Sequence, residues 1–189
     1  MCSSDLVPRP IAWVSTIDAA GRVNLAPFSF FQAVGAEPPS VIVSIGRHRD
    51  GDYKDTGVNL RASGEAVINV VTDDLAEAMN LTAGEQPFGV DELKLAGLTP
   101  APCRHVAAPR VAESPISLEC RLAQEVQIGD TENAYFVAVL EVVAFHVRDD
   151  LYDEGRIDPR KLQPLGRLGG NAYSHPGEVF EMERPPGQR

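Results

Sequence analysis

The sequence predicts a small antiparallel β-barrel with a few peripheral helices. Three observations predict it: about six apolar segments of strand length, short turns joining most of them, and only two or three stretches of helical character. A parallel doubly wound sheet needs a helix after most strands, and that alternation is absent. At 189 residues the chain suits one compact domain. That domain is expected over residues 1–174, with a flexible, polar, Pro-rich tail over 175–189.

Ile11–Ile17 reads as the first strand, Asp18-Ala-Ala-Gly21 as a turn and Arg22–Ala26 as the returning strand. Pro27 is expected to end that strand, because proline has no N–H for the ladder. An aromatic loop, Phe28-Ser-Phe-Phe-Gln32, follows. After Pro38-Pro39 the apolar run Ser40–Ile45 reads as a buried strand. Lys54–Arg61 is a helix weakened by Gly57, and Ala66–Val71 is another strand. Asp73 or Asp74 is placed to cap a helix that carries Leu75, Ala78, Met79 and Thr82 on one side. Glu85–Pro109, rich in Gly and Pro, reads as loop with a little helix. Two long strands, Ile116–Ile128 and Tyr135–Val147, flank a turn at Gly129–Asn133. Arg148–Lys161 is charged and irregular, and Leu165–Tyr173 is a glycine-rich loop.

Composition excludes several functions. Lys+Arg is 17 and Asp+Glu is 27, a net charge of −10, and an acidic surface repels nucleic-acid backbones. The longest uncharged run, Val23–Ala36, is too short and too interrupted to span a bilayer. No basic, then apolar, leader opens the chain, so a cytoplasmic protein is expected. The three cysteines, Cys2, Cys103 and Cys120, are too scattered for a disulfide framework. No Gly-x-Ser-x-Gly, phosphate-loop, His-Glu-x-x-His or Gly-x-Gly-x-x-Gly motif is present. Gly166-Arg-Leu-Gly-Gly170 has the wrong spacing for a dinucleotide loop. Cys103-x-His105 with Cys120 offers three possible metal ligands, but a closed zinc site wants a fourth, so no metal centre is expected. No catalytic acid or base stands out.

The informative region is residues 9–59. It gathers Ser15-Thr16, Asn24-Leu-Ala-Pro-Phe-Ser29, Ser44-Ile-Gly-Arg47 and Lys54-Asp-Thr56. A cofactor with a flat apolar ring and a phosphate tail needs such a mixture. Phe28, Phe30 or Phe31 could wall the ring. Hydroxyls, Gly46, Arg47 and Lys54 could meet the phosphate. Each feature also has an ordinary reading: hydroxyls on a sheet surface, phenylalanines in a core, Arg47 and Arg49 in a solvated turn, Lys54-Asp55-Thr56 at a helix start.

Larger motifs carry a resemblance. Arg9-Pro-Ile-Ala-Trp-Val-Ser-Thr16, Gly21-x-x-Asn24-x-Ala-Pro-Phe-Ser-Phe-Phe31, Pro38-Pro39 and Lys54-Asp-Thr56-x-x-Asn59 open the match. It continues through Phe88–Thr99, Ser117-Leu-Glu-Cys120, Tyr135–Val147 and Arg167-Leu-Gly-Gly170 with Tyr173. Over roughly residues 8–174 the chain resembles the flavin reductase-like FMN-binding proteins, flavoredoxins among them. The resemblance implies a six-stranded split β-barrel that binds FMN near the interface of a homodimer. Carried over, it places Val14, Ser15, Thr16, Ala26, Pro27, Phe28, Ser29 and Phe31 near the flavin. It places Ser44, Ile45, Gly46, Arg47, Lys54, Asp55 and Thr56 on the ribityl phosphate side. Arg167 and Tyr173 would close over the ring or come from the partner subunit. Only six residues precede Val7, fewer than the family pattern carries, which bears on dimer packing.

The expected function is an FMN-dependent oxidoreductase taking electrons from NAD(P)H and passing them to free flavin, ferric chelates or a protein acceptor. The hydride step needs no protein acid or base, which suits the missing catalytic constellation. The alternative is a flavoredoxin-type electron carrier with little NAD(P)H activity. A third reading is a cofactor-free interaction module on the same barrel.

Overall fold

The computed structural model describes residues 5–48, 50–129, 134–185 and 187. Cys2, Arg49 and most of the turn expected at Gly129–Asn133 lie outside the described residues. The seven main strands form one antiparallel sheet. β1 (Ala12–Ile17) pairs with β2 (Val23–Phe28), which is one end of that sheet. The other end is β3 (Phe31–Ala36), which pairs with β4 (Pro39–Ile45). Between them lie β5 (Glu65–Val70), beside β1, and two long strands completed below.

Short elements fill the connections. α1 (Asp55–Ser63) precedes β5 and ends at Gly64, whose φ of 71° lets its N–H reach the Leu60 carbonyl at 2.9 Å. A 3₁₀ turn, Asp73–Leu75, leads into α2 (Ala76–Leu81), and α3 (Glu92–Leu95) follows. β6 (Pro100–Ala101) pairs with β7 (Arg110–Val111). β8 (Ile116–Ile128) and β9 (Tyr135–Val147) then join β5 to β4, giving the order β2-β1-β5-β8-β9-β4-β3. β10 (Tyr152–Asp153) and β11 (Arg156–Ile157) make a hairpin, and α4 (Pro159–Leu162) follows it. β12 (Gly166–Arg167) and β13 (Tyr173–Ser174) make another, where the sequence reads only as loop.

The two ends of the sheet are consecutive in the chain, separated by Ser29 and Phe30 alone. The Ser44 N–H donates to the Phe30 carbonyl at 2.9 Å and carries the β4 ladder into this link. β2 and β3 therefore run on from each other through a bend at a seam, and the sheet has the antiparallel split-barrel class expected from the motifs, with seven strands where six were expected. Two expectations need correction. Pro27 does not end β2: it pairs in register with Trp13, and β2, as a terminal strand, asks for no N–H on its outer side. Phe31 and Gln32 are not loop but the start of β3. That strand is exposed from Gln32 to Ala36, so it lacks the apolar alternation that marks a strand.

Alternation sorts the side chains into two layers. Ala12, Val14, Val41, Val43, Ile45, Ile68, Phe136, Ala138 and Leu140 fill the barrel, with Leu60 of α1 packed among them. Trp13, Leu25, Val71, Leu75, Met79 and Leu93 form a second core that holds α2 and α3 against the barrel's outer face. There the Trp13 indole N–H donates to the Thr82 hydroxyl at 2.9 Å. Neither Asp73 nor Asp74 caps α2; Asp74 instead accepts from the Thr72 hydroxyl at 2.5 Å. No helix among the described residues is long and apolar enough to cross a membrane.

Candidate functional site

The seam opens into a cleft. Pro27 and Phe28 line three adjoining hollows, so these are one depression divided by the Phe28 ring. The largest, about 760 Å³, lies between the seam, α2 and the β12–β13 hairpin. A second, about 350 Å³, lies toward the end of β4 and the start of α1. A narrow one of about 80 Å³ connects toward Thr56 and Glu92.

The cleft gathers cations in a chain of net charge −10. The Arg9 Nε donates to Ser29 Oγ at 3.2 Å, and its Nη2 donates to the Leu168 carbonyl at 3.0 Å. On the second hollow, Arg47 donates from one terminal nitrogen to the Gly51 carbonyl at 2.8 Å, while its Nε is buried and has no partner among the described residues. The Lys54 ammonium sits 5.8 Å from the Phe28 ring centroid and forms no ion pair among the described residues. Arg167 lies over Tyr173 at 4.5 Å and donates to the Gly170 carbonyl. Its backbone exchanges hydrogen bonds with Arg9 at 2.8 and 2.9 Å, which fixes the hairpin against the seam. Gly166 allows this approach: a Cβ there would lie 2.7 Å from Ser174 Oγ and 3.1 Å from the Pro8 ring. Opposite, Asp73 and Glu77 give the large hollow an acidic wall, and His175 Nδ1 lies 3.1 Å from Asp73.

Glu92 closes the narrow hollow. It is almost fully buried and accepts from the Leu25 N–H at 3.0 Å. Burial raises its pKa above the ordinary value, and the Leu25 donation offsets that only in part.

The structure brings most of the expected site residues together. Ala26, Pro27, Phe28, Ser29, Ser44, Gly46, Arg47, Lys54, Asp55, Thr56, Arg167 and Tyr173 all line the cleft. Five others do not reach it through their side chains. Val14 and Ile45 point into the barrel, and Phe31 packs against the same core. Ser15 is fully buried and donates to the Pro109 carbonyl at 2.5 Å. Thr16 Oγ1 accepts from Asn24 and Asn59 at 3.3 and 3.2 Å, so that hydroxyl stitches β1 to β2 and α1. Sequence reasoning did not place Met79 or Tyr135 here, nor Arg9 behind Ser29. Arg9 stands in the first recognised motif, but nothing in the sequence showed that the hairpin would bring Leu168 against it.

The cysteines are arranged otherwise than their spacing suggests. Cys120 faces the barrel interior, whereas its neighbour Glu119 faces outward. Cys103 Sγ, a Glu119 oxygen and a His146 nitrogen lie within 4.8 Å of one another, without His105 or Cys120. Desolvation pushes the Cys103 thiol up to about 11, with the Glu119 charge adding to it.

The sequence profile of the flavin reductase like domain matches residues 4–166, and the chain belongs to that family. Its chemistry is that of flavin-linked oxidoreduction. An uncharacterised protein of Halalkalibacterium halodurans is 43% identical over 95% of this chain and 87% of its own length. Nitrilotriacetate monooxygenase component B of Bacillus cereus is 36% identical with a TM-score of 0.92, covering 96% of this chain and 90% of that one. The 2-nitrobenzoate 2-nitroreductase NbaA of Pseudomonas fluorescens is 28% identical with a TM-score of 0.88, covering 98% and 89%.

Proposed function

We propose that the protein binds FMN at the seam and passes electrons from NAD(P)H through it to a small-molecule or protein acceptor. The carrying observation is the second hollow, where the Arg47 guanidinium and Lys54, which forms no ion pair among the described residues, meet Ser44 and Gly46 in an acidic chain. That donor set suits a phosphate monoester. The apolar faces of Pro27, Phe28 and Met79 beside it suit a planar ring, and the combined space is of cofactor size.

When bound, the flavin supplies reversible two-electron chemistry. The chain's residues bind and orient it. Lys54 and Arg47 neutralise the phosphate, and Ser44 offers a hydroxyl. Phe28 and Pro27 exclude water from one side of the ring. The narrower nicotinamide-dependent activity rests on the large hollow, which leaves room for a second ring beside the first.

The active form in this reading is a homodimer. Tyr135 and Ile128 are cross-strand partners, both exposed, and the Phe30 ring lies 6.3 Å from that of Tyr135. This apolar strip borders the cleft, so a second copy resting on it would also help enclose the site.

Titration of the full chain with FMN, followed by flavin fluorescence, tests the binding. Anaerobic mixing with NADH and NADPH then tests the donor. Bleaching of the visible flavin band supports the reductase. Reduction by reduced ferredoxin alone supports an electron carrier, and absence of FMN binding overturns both.

A further inference from the structure

A second hollow of about 460 Å³ lies at the other end of β9 from the cleft. Ile45, at the cleft end of β4, pairs with Phe136, whereas this hollow is lined by Ala144–Val147 on the same strand. Ten residues separate Phe136 from His146, roughly 30 Å along an extended strand. The two depressions share no lining residue.

The wall of this hollow is basic. It carries Arg104, Arg110 and Arg148 and the imidazoles of His105 and His146, against one lining carboxylate, Asp149. Arg148 is already paired with Asp150 at 2.6 Å. Arg104 and Arg110 form no ion pair among the described residues. The Arg110 Nε is buried and has no hydrogen-bond partner among the described residues. Arg110 as a whole is half-buried and lines the hollow.

The carboxylate beneath this wall is committed elsewhere. Glu119 is fully buried, and its oxygens accept from the Arg104 N–H at 2.8 Å, the His105 N–H at 2.6 Å and His146 Nε2 at 2.5 Å. It anchors the loop that carries Arg104 and holds the His146 ring. The nearby Cys103 could be read as completing a metal triad. Glu119 has its donors already, however, and the surrounding guanidinium groups oppose a bound cation. The same surroundings favour an anion. Beside them stands Phe145, 58% exposed on an otherwise basic rim, with Ala112, Pro115 and Ala144 offering apolar contact. An exposed aromatic ring next to free guanidinium groups is suited to a planar base joined to phosphate.

We propose that this hollow is a second binding site, distinct from the flavin cleft, for a phosphate ester of nucleotide size. Its phosphates are met by Arg104 and Arg110, and its ring rests on Phe145.

Isothermal titration of the full chain with ADP and with pyrophosphate tests it. Both are expected to bind, ADP the more tightly. Arg104→Gln and Arg110→Gln should each weaken both ligands about tenfold, the scale of one charge-assisted hydrogen bond. Arg104 is exposed, so its variant keeps the fold even if Arg110→Gln does not. Phe145→Ala should weaken ADP and leave pyrophosphate unchanged. Lys54→Ala, which strikes the flavin cleft, should leave ADP affinity unchanged, so failure of the FMN reading does not carry over. No heat from ADP at millimolar concentration, or affinity that survives Arg104→Gln, overturns the site. ADP binding no tighter than pyrophosphate overturns the role of Phe145.

Discussion

The Arg47 guanidinium lies 3.8 Å from the centroid of the Tyr53 ring, and Arg61 approaches the same ring at 4.0 Å. Two guanidinium groups this close to one ring occupy its opposite faces. Arg61 also lies 4.3 Å from the Phe136 ring in the barrel core. The column Arg47–Tyr53–Arg61–Phe136 thus ties a cation on the cleft rim to the interior. Glu125 steadies it, accepting from the Arg61 guanidinium at 2.5 Å.

Tyr53→Ala is expected to release Arg47 and weaken FMN binding about fivefold, since a cation–π contact contributes about 1 kcal/mol. Tyr53→Phe keeps the ring face and should stay within about twofold of the parent. Fluorescence titration of both variants separates stacking from the phenol's polarity.

Lys54→Ala should weaken FMN binding by about 1.5–3 kcal/mol. Lys54 precedes α1 and gives it no side-chain cap, so helix content by circular dichroism should not change. An unaltered FMN dissociation constant would remove Lys54 from the site.

Glu119 contributes stability that depends on acid. Burial pushes its pKa up, but the Arg104 N–H, His146 and the His105 N–H outweigh this and bring it from 4.5 to about 2. Its folded value lies below its unfolded one, so the contribution is present above about pH 4.5 and disappears as pH falls toward 2. Glu119→Ala is expected to cost about 3 kcal/mol or more at neutral pH, because it strands a half-buried imidazole and two N–H groups. Urea melts at pH 7 and pH 3 should show the gap between variant and parent narrowing with acid.

Glu92 works in the opposite direction. Its folded pKa is raised by burial above 4.5, so native stability falls as pH climbs from that value through the folded one. Glu92→Gln keeps an oxygen for the Leu25 N–H and removes the buried charge. Its melting temperature should exceed that of the parent at pH 8, with the difference vanishing near pH 4. An equal difference at both pH values would show that the carboxylate's ionisation is not the cause.

Much of the barrel was legible because its strands are apolar runs of strand length bounded by turn residues. Ala12, Val14, Ile68 and Leu140 belong to such runs and face the barrel interior. β3 was not legible, since an exposed strand carries no such signal and, among the described residues, it pairs with β4 alone. Ala26–Ser29 and Lys54–Thr56, each local in the chain, line the cleft. On β1 the hydroxyl chemistry is visible in the sequence, but the inward or outward sense of each residue is not. Ser15 and Thr16 offer the same groups a phosphate needs, yet Pro109, Asn24 and Asn59 already hold them. The basic hollow is not legible because Arg104, Arg110 and Arg148 are separated in sequence and converge only in the folded chain, beside residues 144–147 of β9.

The link at Ser29–Phe30 makes closure of the sheet a matter of two residues where other neighbours share a full ladder. Anything seated there touches both margins at once, so the free energy its binding releases is added to the stability of the whole folded chain at its narrowest join.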